Sequence, residues 1–534
     1  MVSIPSQTKI LVIGGGPSGS LAACALAREG FEVTLLEADS FPRYHIGESL
    51  LPSVRPFLQF VDAEKKVIEH GFCPKPGAAI KFNQHKREGY TDFIARGPEF
   101  GSWNVVRSEF DNIIFRHAEA SGAKVFEKVK VSAIEFEKQG DPKSRPIAAT
   151  YQTVDGKDGR IAFEYLVDAS GRNGVMSTKY LKNRHTNESL KNIAIWGYWE
   201  NFGRYKPGTN RENAIWIEAL TDESGWAWFI PLADNLVSVG LVINHAQSIT
   251  KRNAFREKSG NPDSTLQDFY LDQVKLSPGL WNDFIPKAKM VEKEGGPMVR
   301  QASDYSYSAN GYAGIGYRLI GDAACFIDPF FSSGVHLAFT GGLSAAGTIA
   351  SSIRGITSEE ECAKWHDAKV SVSYTRFMLV VLGAYKQMRN QKFDILSDVG
   401  ADNFDRAFDL LRPIIQGTAD VNKKVTEDEV QDTMDFVKNV FAPTDPELEA
   451  AVKQRVDPKF FEGEESDIIL PSQTQEMFED EDVRHVMDVI NARKPVHKMY
   501  DTQRDFGSEP INGYTLNLVR GELNLIKPEG ITGA

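Results

Sequence analysis

Lys75 stands between two prolines in the stretch HGFCPKPGAAIKF at 70–82. Proline fixes the backbone φ angle on either side, so the lysine is presented on a stiff loop. A lysine held in place can donate a hydrogen bond as an ammonium group or, when neutral, attack an electrophile. Most lysines are solvated surface charges instead, and spacing alone does not separate these roles. Lys75 is therefore a candidate catalytic residue that needs a site around it.

A glycine-rich turn near the N-terminus is a candidate nucleotide site. The stretch KILVIGGGPSGSLAACALAREGFEVTLLE at 9–37 predicts a strand, a turn, a helix and a second strand that ends at Glu37. Gly14 permits the tight turn, Gly16 lets the backbone approach a pyrophosphate, and Gly19 lets helix and strand pack closely. The helix N-terminus offers free N–H groups, and Glu37 can accept a hydrogen bond from a ribose hydroxyl. The pattern predicts a dinucleotide site and leaves FAD and NAD open.

Two later segments fit the same nucleotide-binding architecture. The stretch 103–122 has apolar residues at helical spacing, and its Arg107 either reaches the nucleotide or neutralises Glu109 and Asp111. The run YLVDASGRNG at 165–174 predicts a buried strand that stops at small residues, as a strand end beside a dinucleotide does. We therefore expect the nucleotide domain to resume there.

A second glycine and acid segment spans 318–353. It predicts a strand that ends in a Gly-Asp turn at Asp322 and a long small-residue helix that begins near Gly334. A carboxylate at a strand end and a helix N-terminus suit a ribityl chain and a pyrimidine ring, and they also suit an anion. A helix start capped by Ser332 or Ser333 would explain the serines but not the Gly-Asp turn.

Residues 194–243 predict an antiparallel sheet of four strands separated by turns. This sheet carries five of the eight tryptophans, namely Trp196, Trp199, Trp216, Trp226 and Trp228. Period-two alternation places about half of these indoles in a core, and such a number on one sheet also suits an aromatic ligand wall. We expect this sheet to be the substrate platform.

Composition excludes several classes of protein. The chain has 534 residues and a net charge of −12, so about three domains are expected and a basic nucleic-acid surface is not. Its apolar runs are too short to span a membrane, and the N-terminal residues before the first strand leave no room for a signal peptide. Four scattered cysteines suggest neither a disulfide framework nor a zinc site. We expect a cytoplasmic protein without a metal.

Four of these features together resemble the FAD-binding domain of the flavin monooxygenase superfamily. They are the glycine-rich turn at 14–19 (the cradle), the Arg107 helix, the ASG strand end at 169–171 and the Gly-Asp turn at Asp322. WAWFIP at 226–231 resembles the WxWxIP signature of flavin-dependent halogenases, and CFIDPFFSSGVHLA at 325–338 resembles their Fxx-Pxx-S-x-G region. KPGAAIKF places Lys75 where that family has its catalytic lysine. PRYHIGESLLP, WNVVRSE, DASGR and DLLRPIIQGTAD at 409–420 extend the match. The chain looks most like fungal, free-standing phenol halogenases that chlorinate polyketide-type aromatics.

The resemblance implies a set of site residues. Flavin contacts are implied at Gly14, Gly16, Pro17, Gly19, Glu37, Arg43, Glu48, Arg107, Asp322 and Val335. Chloride is implied on the backbone of Ser333 and Gly334, and the substrate platform adds contacts at Trp226, Trp228 and Phe331. In such enzymes FADH2 from a separate flavin reductase reacts with O2 to give a C4a-hydroperoxide, which turns chloride or bromide into a hypohalous acid. Lys75 would hydrogen-bond that acid or become a chloramine and chlorinate an electron-rich phenol.

Some alternatives stay open. Tryptophan halogenases carry a glutamate at the position of Phe331, whereas the phenolic relatives tend to have phenylalanine, as this chain does. This difference argues against an indole-type mechanism. The base that would deprotonate a phenol is unassigned, with His45, His70 and His336 as candidates by residue type only. An aromatic hydroxylase using NADPH shares the fold, and Lys75, WAWFIP and SSG discriminate against it. A flavin-dependent isoprenoid reductase shares much of the fold, but it would want an open lipid tunnel and no tryptophan-lined phenol wall.

These elements predict an α/β architecture with three parts. A Rossmann-like FAD-binding domain of the glutathione-reductase type is interleaved with an antiparallel substrate-binding sheet domain, and a mostly helical C-terminal domain follows. The expected bounds are 1–70, 103–190 and 291–365 for the FAD domain, 71–102 and 191–290 for the sheet domain, and 366–534 for the C-terminal domain. The stretch INGYTLNLVRGELNLIK near the C-terminus alternates like a hairpin.

Overall fold

The computed structural model describes residues 3–84, 87–95, 97–261, 263–389, 391, 446–460, 469, 471–493 and 510–527. The stretch DLLRPIIQGTAD at 409–420 lies outside these residues. In chain order the strands are β1 (Gln7–Ile13), β2 (Val33–Leu36), β3 (Cys73–Lys75), β4 (Gly77–Lys81), β5 (Gly89–Asp92), β6 (Ser102–Asn104), β7 (Lys124–Phe126), β8 (Val129–Phe136), β9 (Pro146–Thr153), β10 (Asp158–Asp168), β11 (Arg184–Glu200), β12 (Ile215–Ala219), β13 (Gly225–Pro231), β14 (Leu236–Asn244), β15 (Lys289–Val291), β16 (Val299–Ala309), β17 (Ala313–Gly314), β18 (Tyr317–Leu319), β19 (Thr515–Asn517) and β20 (Asn524–Ile526).

The described α-helices connect the strands of the sheets or follow them in the chain. They are α1 (Pro17–Arg28), α2 (Val54–Phe60), α3 (Glu64–His70), α4 (Arg107–Ala120), α5 (His245–Ser259), α6 (Leu266–Val274), α7 (Gly334–Ile353), α8 (Glu359–Met388), α9 (Pro446–Lys453), α10 (Pro471–Met477) and α11 (Glu481–Arg493). None of these helices is long and apolar enough to cross a membrane.

The first sheet has a parallel core in the order β18, β10, β1, β2, β7, with the antiparallel pair β8 and β9 attached to β10 and β17 at the edge. Ile13 of β1 lies opposite both Leu36 of β2 and Asp168 of β10, and Asp168 lies opposite Leu319 of β18. These strands therefore end level with one another. The fold therefore places the glycine-rich turn after β1, the ASG segment after β10 and the Gly-Asp turn after β18 side by side. Parallel sheets bind ligands at this carboxyl edge.

Helices α1 and α7 pack closely at the same edge. A Cβ atom on Gly342 of α7 would lie 2.8 Å from the backbone oxygen of Ser18, so the two helices approach to a distance that side chains would prevent. The predicted helix start at Gly334 is confirmed. The helix predicted over 103–122 begins only at Arg107, because Trp103 and its neighbours form β6 and pair with β3. Tertiary pairing here overrides the helical spacing.

The second sheet has the order β15, β11, β14, β13, β12, β4, β5, with β16 also paired to β11. It is antiparallel as expected, except that β4 runs parallel to β12. The predicted alternation of tryptophans is confirmed. Trp199 and Trp216 belong to a core on one face, whereas the other three indoles pack on the opposite face, toward the first sheet.

The C-terminal part contributes a long helix and a hairpin. Helix α8 starts at Glu359, where the Ser358 hydroxyl caps it. The predicted terminal hairpin is confirmed as β19 and β20, and Leu516 packs so closely on α7 that a Cβ on Gly347 would lie 2.2 Å from it. The backbone N–H of Leu523 in this hairpin donates to Glu29, which follows α1. The hairpin therefore covers the outer side of the nucleotide-binding helices.

Candidate active site

A cavity of about 690 Å³ lies between the carboxyl edge of the parallel sheet and the tryptophan face of the second sheet. This volume is typical of small-molecule sites. The predicted residues in its wall are Gly14, Gly16, Pro17, Glu37, Arg43, Glu48, Arg107, Trp226, Trp228, Asp322, Gly334 and Val335. Folding therefore brings the cradle, the Gly-Asp turn, the start of α7 and two of the indoles to one space.

The three cradle glycines have different surroundings. Gly14 has φ +99°, and a Cβ there would lie 2.2 Å from the backbone oxygen of Ala169. A Cβ on Gly19 would lie 2.0 Å from the backbone oxygen of Gly14. A Cβ on Gly16 would meet only Arg43 Nη2, at 3.6 Å. Gly14 and Gly19 are thus required by protein packing, while Gly16 borders open space in the cavity.

Two charged side chains in the cavity wall, Glu37 and Arg107, have hydrogen-bond partners within the protein. The Glu37 carboxylate accepts hydrogen bonds from the backbone N–H groups of Gly15 (2.6 Å) and Asp39 (2.8 Å). Arg107 makes a bidentate pair with Asp111, at 2.8 and 3.1 Å, and donates to the backbone oxygens of residues 46 and 47. Of the two roles open for Arg107, neutralising Asp111 is realised, and the arginine also buttresses the loop that carries Glu48.

Two carboxyl groups in the wall are partly or fully removed from water. Burial raises the pKa of the Asp322 carboxyl above its usual range, although Arg172 and Arg107 oppose this shift. Burial also raises the pKa of Glu48, against the nearby charge of Lys293. Both groups can therefore carry a proton more readily than exposed carboxylates, and both line the cavity.

The start of α7 is uncapped by side chains. Ser333 occupies the N-cap position without a side-chain hydrogen bond to the helix. Its Oγ is buried and has no hydrogen-bond partner among the described residues. A Cβ on Gly334 would meet no atom within 4 Å, so the first turn borders open space. The serine-cap interpretation is wrong, and an uncapped helix N-terminus beside a buried hydroxyl suits an anion.

Lys75 is buried, with 1% of its surface exposed, so it is not a solvated surface charge. Its Nζ donates to Ser49 Oγ at 2.7 Å and to the Leu50 backbone oxygen at 2.9 Å. Ser332 Oγ donates to the same Ser49 Oγ at 3.0 Å. Burial lowers the pKa of Lys75 to about 7. We call this chain of contacts, Lys75 to Ser49 to Ser332, the lysine bridge.

The lysine bridge joins the lysine to the cavity wall. Ser49 and Ser332 line the cavity, whereas Lys75 is not among the described residues that do. Ser332 has φ +57°, a left-handed conformation that is uncommon for a residue other than glycine. This conformation turns the chain immediately before the uncapped start of α7. The lysine therefore lies behind the wall, two side chains away from the candidate anion site.

The cavity fits a dinucleotide. Gly14 and Gly19 keep the turn tight, Gly16 leaves room for a pyrophosphate, and the start of α1 offers N–H groups to it. Arg43 and Arg107 both lie in the wall and share the carboxylate of Asp111, so the two guanidinium groups exceed this one negative charge. These residues would hold a dinucleotide such as FAD.

Comparison with known proteins agrees with this geometry. The family model described as Tryptophan halogenase matches residues 9–105 and 100–392. The flavin-dependent halogenase armH4 of Armillaria mellea is 53% identical over 98% of this chain and 98% of its own length. The flavin-dependent halogenase ascD of Acremonium egyptiacum is 50% identical over 100% of this chain and 95% of its own. The chain belongs to the flavin-dependent halogenases. It uses FAD and a halide, as the resemblance implied.

Solved structures of halogenases share the fold. The flavin-dependent halogenase CmlS aligns with a TM-score of 0.64 at 26% identity, covering 76% of this chain and 73% of its own. A variant of the halogenase PltM in complex with FAD aligns with a TM-score of 0.59 at 17% identity, covering 77% and 82%. The prediction of a Rossmann-like FAD domain interleaved with a sheet domain is confirmed. Enzymes of this family act on small molecules and need a flavin reductase.

The candidate histidines of the halogenase lie in different places. His45 lines the cavity, and burial lowers its pKa to about 4, so its ring is neutral at neutral pH. His70 bonds to Glu109 at 2.9 Å on the surface side. His336 is buried in the first turn of α7, with Nδ1 2.9 Å from Ser53 Oγ. Each ring has a partner of its own, so the base that would receive a phenol proton stays unassigned.

The aromatic wall of the halogenase is continuous with the loop before α7. The ring of Trp226 lies 5.9 Å from Trp228 and 5.1 Å from Phe330, and Phe330 lies 4.8 Å from Phe331. Trp228 covers Gly240 of the neighbouring strand, where a Cβ would lie 2.2 Å from the indole. The site residue that sequence reasoning missed is Ser49. It lies inside the quoted stretch PRYHIGESLLP, but no spacing relates it to Lys75.

Proposed function

We propose that this halogenase chlorinates an electron-rich phenolic ring, with Lys75 as the residue that delivers the chlorine. The observation that carries the proposal is the buried lysine bridge, in which a lysine with a pKa near 7 lies two side chains from an uncapped helix start. A lysine with a pKa near 7 is partly neutral at neutral pH and its neutral form is a nucleophile, whereas a solvated lysine is almost fully protonated.

O2 would be the oxidant: it would take two electrons from reduced FAD and two from chloride, which gives oxidised FAD, water and hypochlorous acid. The backbone N–H groups of Ser333 and Gly334 would hold the chloride, which selects by size and desolvation rather than by a charged side chain. The next step requires Lys75 Nζ to reach the cavity past Ser49, which separates the two, and its neutral amine then attacks the chlorine of HOCl. An N–Cl bond forms, the Cl–O bond breaks, and the departing hydroxide takes the amine proton to leave as water.

The chloramine then transfers chlorine to the ring. A ring carbon ortho or para to the hydroxyl attacks chlorine, the N–Cl bond electrons return to nitrogen, and the lost ring proton balances the amine. Phe331 is buried against Phe330, is not among the described residues that line the cavity, and has no charge to offer a positively charged intermediate. The substrate must therefore stabilise its own cation, which a phenolic oxygen does and an unactivated ring does not.

The test is a reaction with a resorcylic-type phenol, FAD, a separate flavin reductase, NADH and chloride, followed by mass spectrometry. With chloride we expect a product that has the isotope pattern of one chlorine. With bromide we expect the brominated product, and with fluoride no fluorinated product. A parallel reaction with NADPH but without the reductase should show no turnover above chemical flavin reduction. A hydroxylated product, or rapid turnover with NADPH alone, would favour an aromatic hydroxylase instead.

A further inference from the structure

A buried carboxylate stands at the entrance to the loop that leads into α7. Asp328 is 0% exposed, and its Oδ2 accepts hydrogen bonds from the hydroxyl of Tyr385 (2.6 Å) and the amide of Asn192 (2.9 Å). Its Oδ1 accepts from the backbone N–H of Phe330 at 3.1 Å, so it also fixes the short helical turn that follows. Its own backbone N–H donates to Ser306 Oγ at 2.9 Å.

Tyr385 is the junction between this carboxylate and the aromatic wall. Its oxygen is 2.8 Å from Trp226 Nε1 and 2.8 Å from Asn192 Nδ2, and both of those nitrogens can only donate. The tyrosine oxygen therefore accepts from both, and its single proton points to Asp328. This sets one direction of hydrogen bonding from the indole, through the tyrosine, to the loop. We call Asp328, Tyr385, Asn192 and Trp226 the tyrosine node.

The tyrosine node joins three elements that are far apart in the chain. Asn192 belongs to β11, Trp226 to β13, and Tyr385 lies near the end of α8. The loop fixed by Asp328 continues through the left-handed Ser332 directly into the uncapped start of α7. A displacement of Asp328 would therefore move the N–H groups at Ser333 and Gly334, while the nucleotide cradle lies on other strands.

We propose that Tyr385 is a positioning residue for the halide site: it holds the loop of 328–334 in register with the tryptophan wall. This inference rests on the proposed placement of the halide at Ser333 and Gly334. Tyr385→Phe removes the donor to Asp328 and leaves the N–H groups of Trp226 and Asn192 without their shared acceptor, and unmet buried groups destabilise their surroundings. The halide site should loosen, while the FAD contacts of the glycine cradle, which lie on other elements, should not.

The experiment compares Tyr385→Phe with Tyr374→Phe, which removes a buried hydroxyl from the same helix outside the node. Steady-state halogenation at varied chloride should show KM for chloride raised about tenfold in Tyr385→Phe. The FAD dissociation constant should stay within about twofold, because the glycine cradle shares no described contact with the node. A second readout without turnover is the change in tryptophan fluorescence of the FAD-loaded enzyme on adding chloride at constant ionic strength, whose midpoint should shift by a similar factor.

Tyr374→Phe should leave the chloride dependence unchanged. If Tyr385→Phe does not fold, Asn192→Ser, which weakens the node from the β11 side, should raise KM for chloride about threefold. An unchanged chloride KM in the folded node variants, or an equal shift in Tyr374→Phe, would overturn the inference. If the unaltered enzyme gives no halogenated phenol, the proposed function fails instead, and the fluorescence titration still decides whether the node affects halide binding.

Discussion

The nucleotide cradle takes its groups from one β–α–β unit, whereas the lysine bridge joins residues separated by 26 and 283 positions. The cradle works through backbone groups and the absence of side chains at Gly14 and Gly19. The bridge works through the side chains of the buried Lys75 and Ser49 and of the half-buried Ser332, and the charge of the lysine depends on its burial. The cradle should therefore be broken by added atoms, and the bridge by removed ones.

The largest expected effect comes from removing the lysine. Lys75→Ala should fold and bind FAD with unchanged affinity, because its side chain is not part of the cavity wall. Chlorination should fall by at least ~1000-fold, within the range of a directly reacting group. Liquid chromatography with mass spectrometry measures the product, and flavin fluorescence measures binding.

Lys75→Arg should fail as well, since a guanidinium stays protonated and is a poor nucleophile. Lys81→Ala, at the end of β4, is the matched control and should chlorinate normally. Regioselective chlorination by Lys75→Ala would remove the lysine from the mechanism and leave the cradle as the only functional half of the comparison.

The second effect concerns the substrate. A phenol can lose its proton and push charge into its ring, whereas its methyl ether cannot. Buried Phe331 carries no charge that could stabilise the cation formed from either substrate. The methyl ether should react at least ~100-fold more slowly than the phenol, which is the lower end of a general base's contribution. Free tryptophan should also be a poor substrate. Initial rates under identical flavin supply decide this, and equal rates for phenol and ether would show that Phe331 says nothing about activation.

The two regions were not equally predictable from sequence. The cradle could be derived because turn, helix and acidic strand end lie within one short stretch, where spacing alone defines their geometry. The burial of Lys75 could not be derived from local spacing. It arises because β3 pairs with β6 and because the loop at Ser49 contacts the lysine. The flanking prolines made Lys75 a candidate, and the family resemblance added its catalytic role. Its pKa follows from burial that no local pattern encodes.

The tryptophan face shows an intermediate case. Period-two alternation predicted that the indoles divide between two faces, and they do. It could not predict that Trp226 bonds to Tyr385 of α8, because that contact joins a strand to a helix far along the chain. Likewise, local spacing favoured a helix from 103, but strand pairing at β6 delayed its start to Arg107.

The third effect separates two glycines inside the cradle. Gly16→Ala adds a methyl group that meets only Arg43 at 3.6 Å, so the apoprotein should keep its melting temperature. The methyl group occupies the space that a pyrophosphate would approach, and FAD affinity should fall about tenfold or more. Gly19→Ala places a methyl group 2.0 Å from a backbone oxygen and should lower the melting temperature of the apoprotein itself. Thermal unfolding without FAD and fluorescence titration with FAD measure the two quantities, and equal melting temperatures in both variants would contradict this division.

The smallest effect is the pH dependence of the bridge, and its sign tests which form of Lys75 acts. Burial lowers the pKa of Lys75 to about 7, so the neutral amine is lost as pH falls through that value. If the amine attacks HOCl, single-turnover chlorination should rise about tenfold from pH 6 to pH 8 with its midpoint near 7. If the ammonium form donates a hydrogen bond to HOCl instead, the rate should fall over the same interval. Repeating the profile with a more acidic phenol separates the lysine from the substrate, because a midpoint that moves with the acidity of the phenol belongs to the substrate. We expect a rising profile whose midpoint does not move.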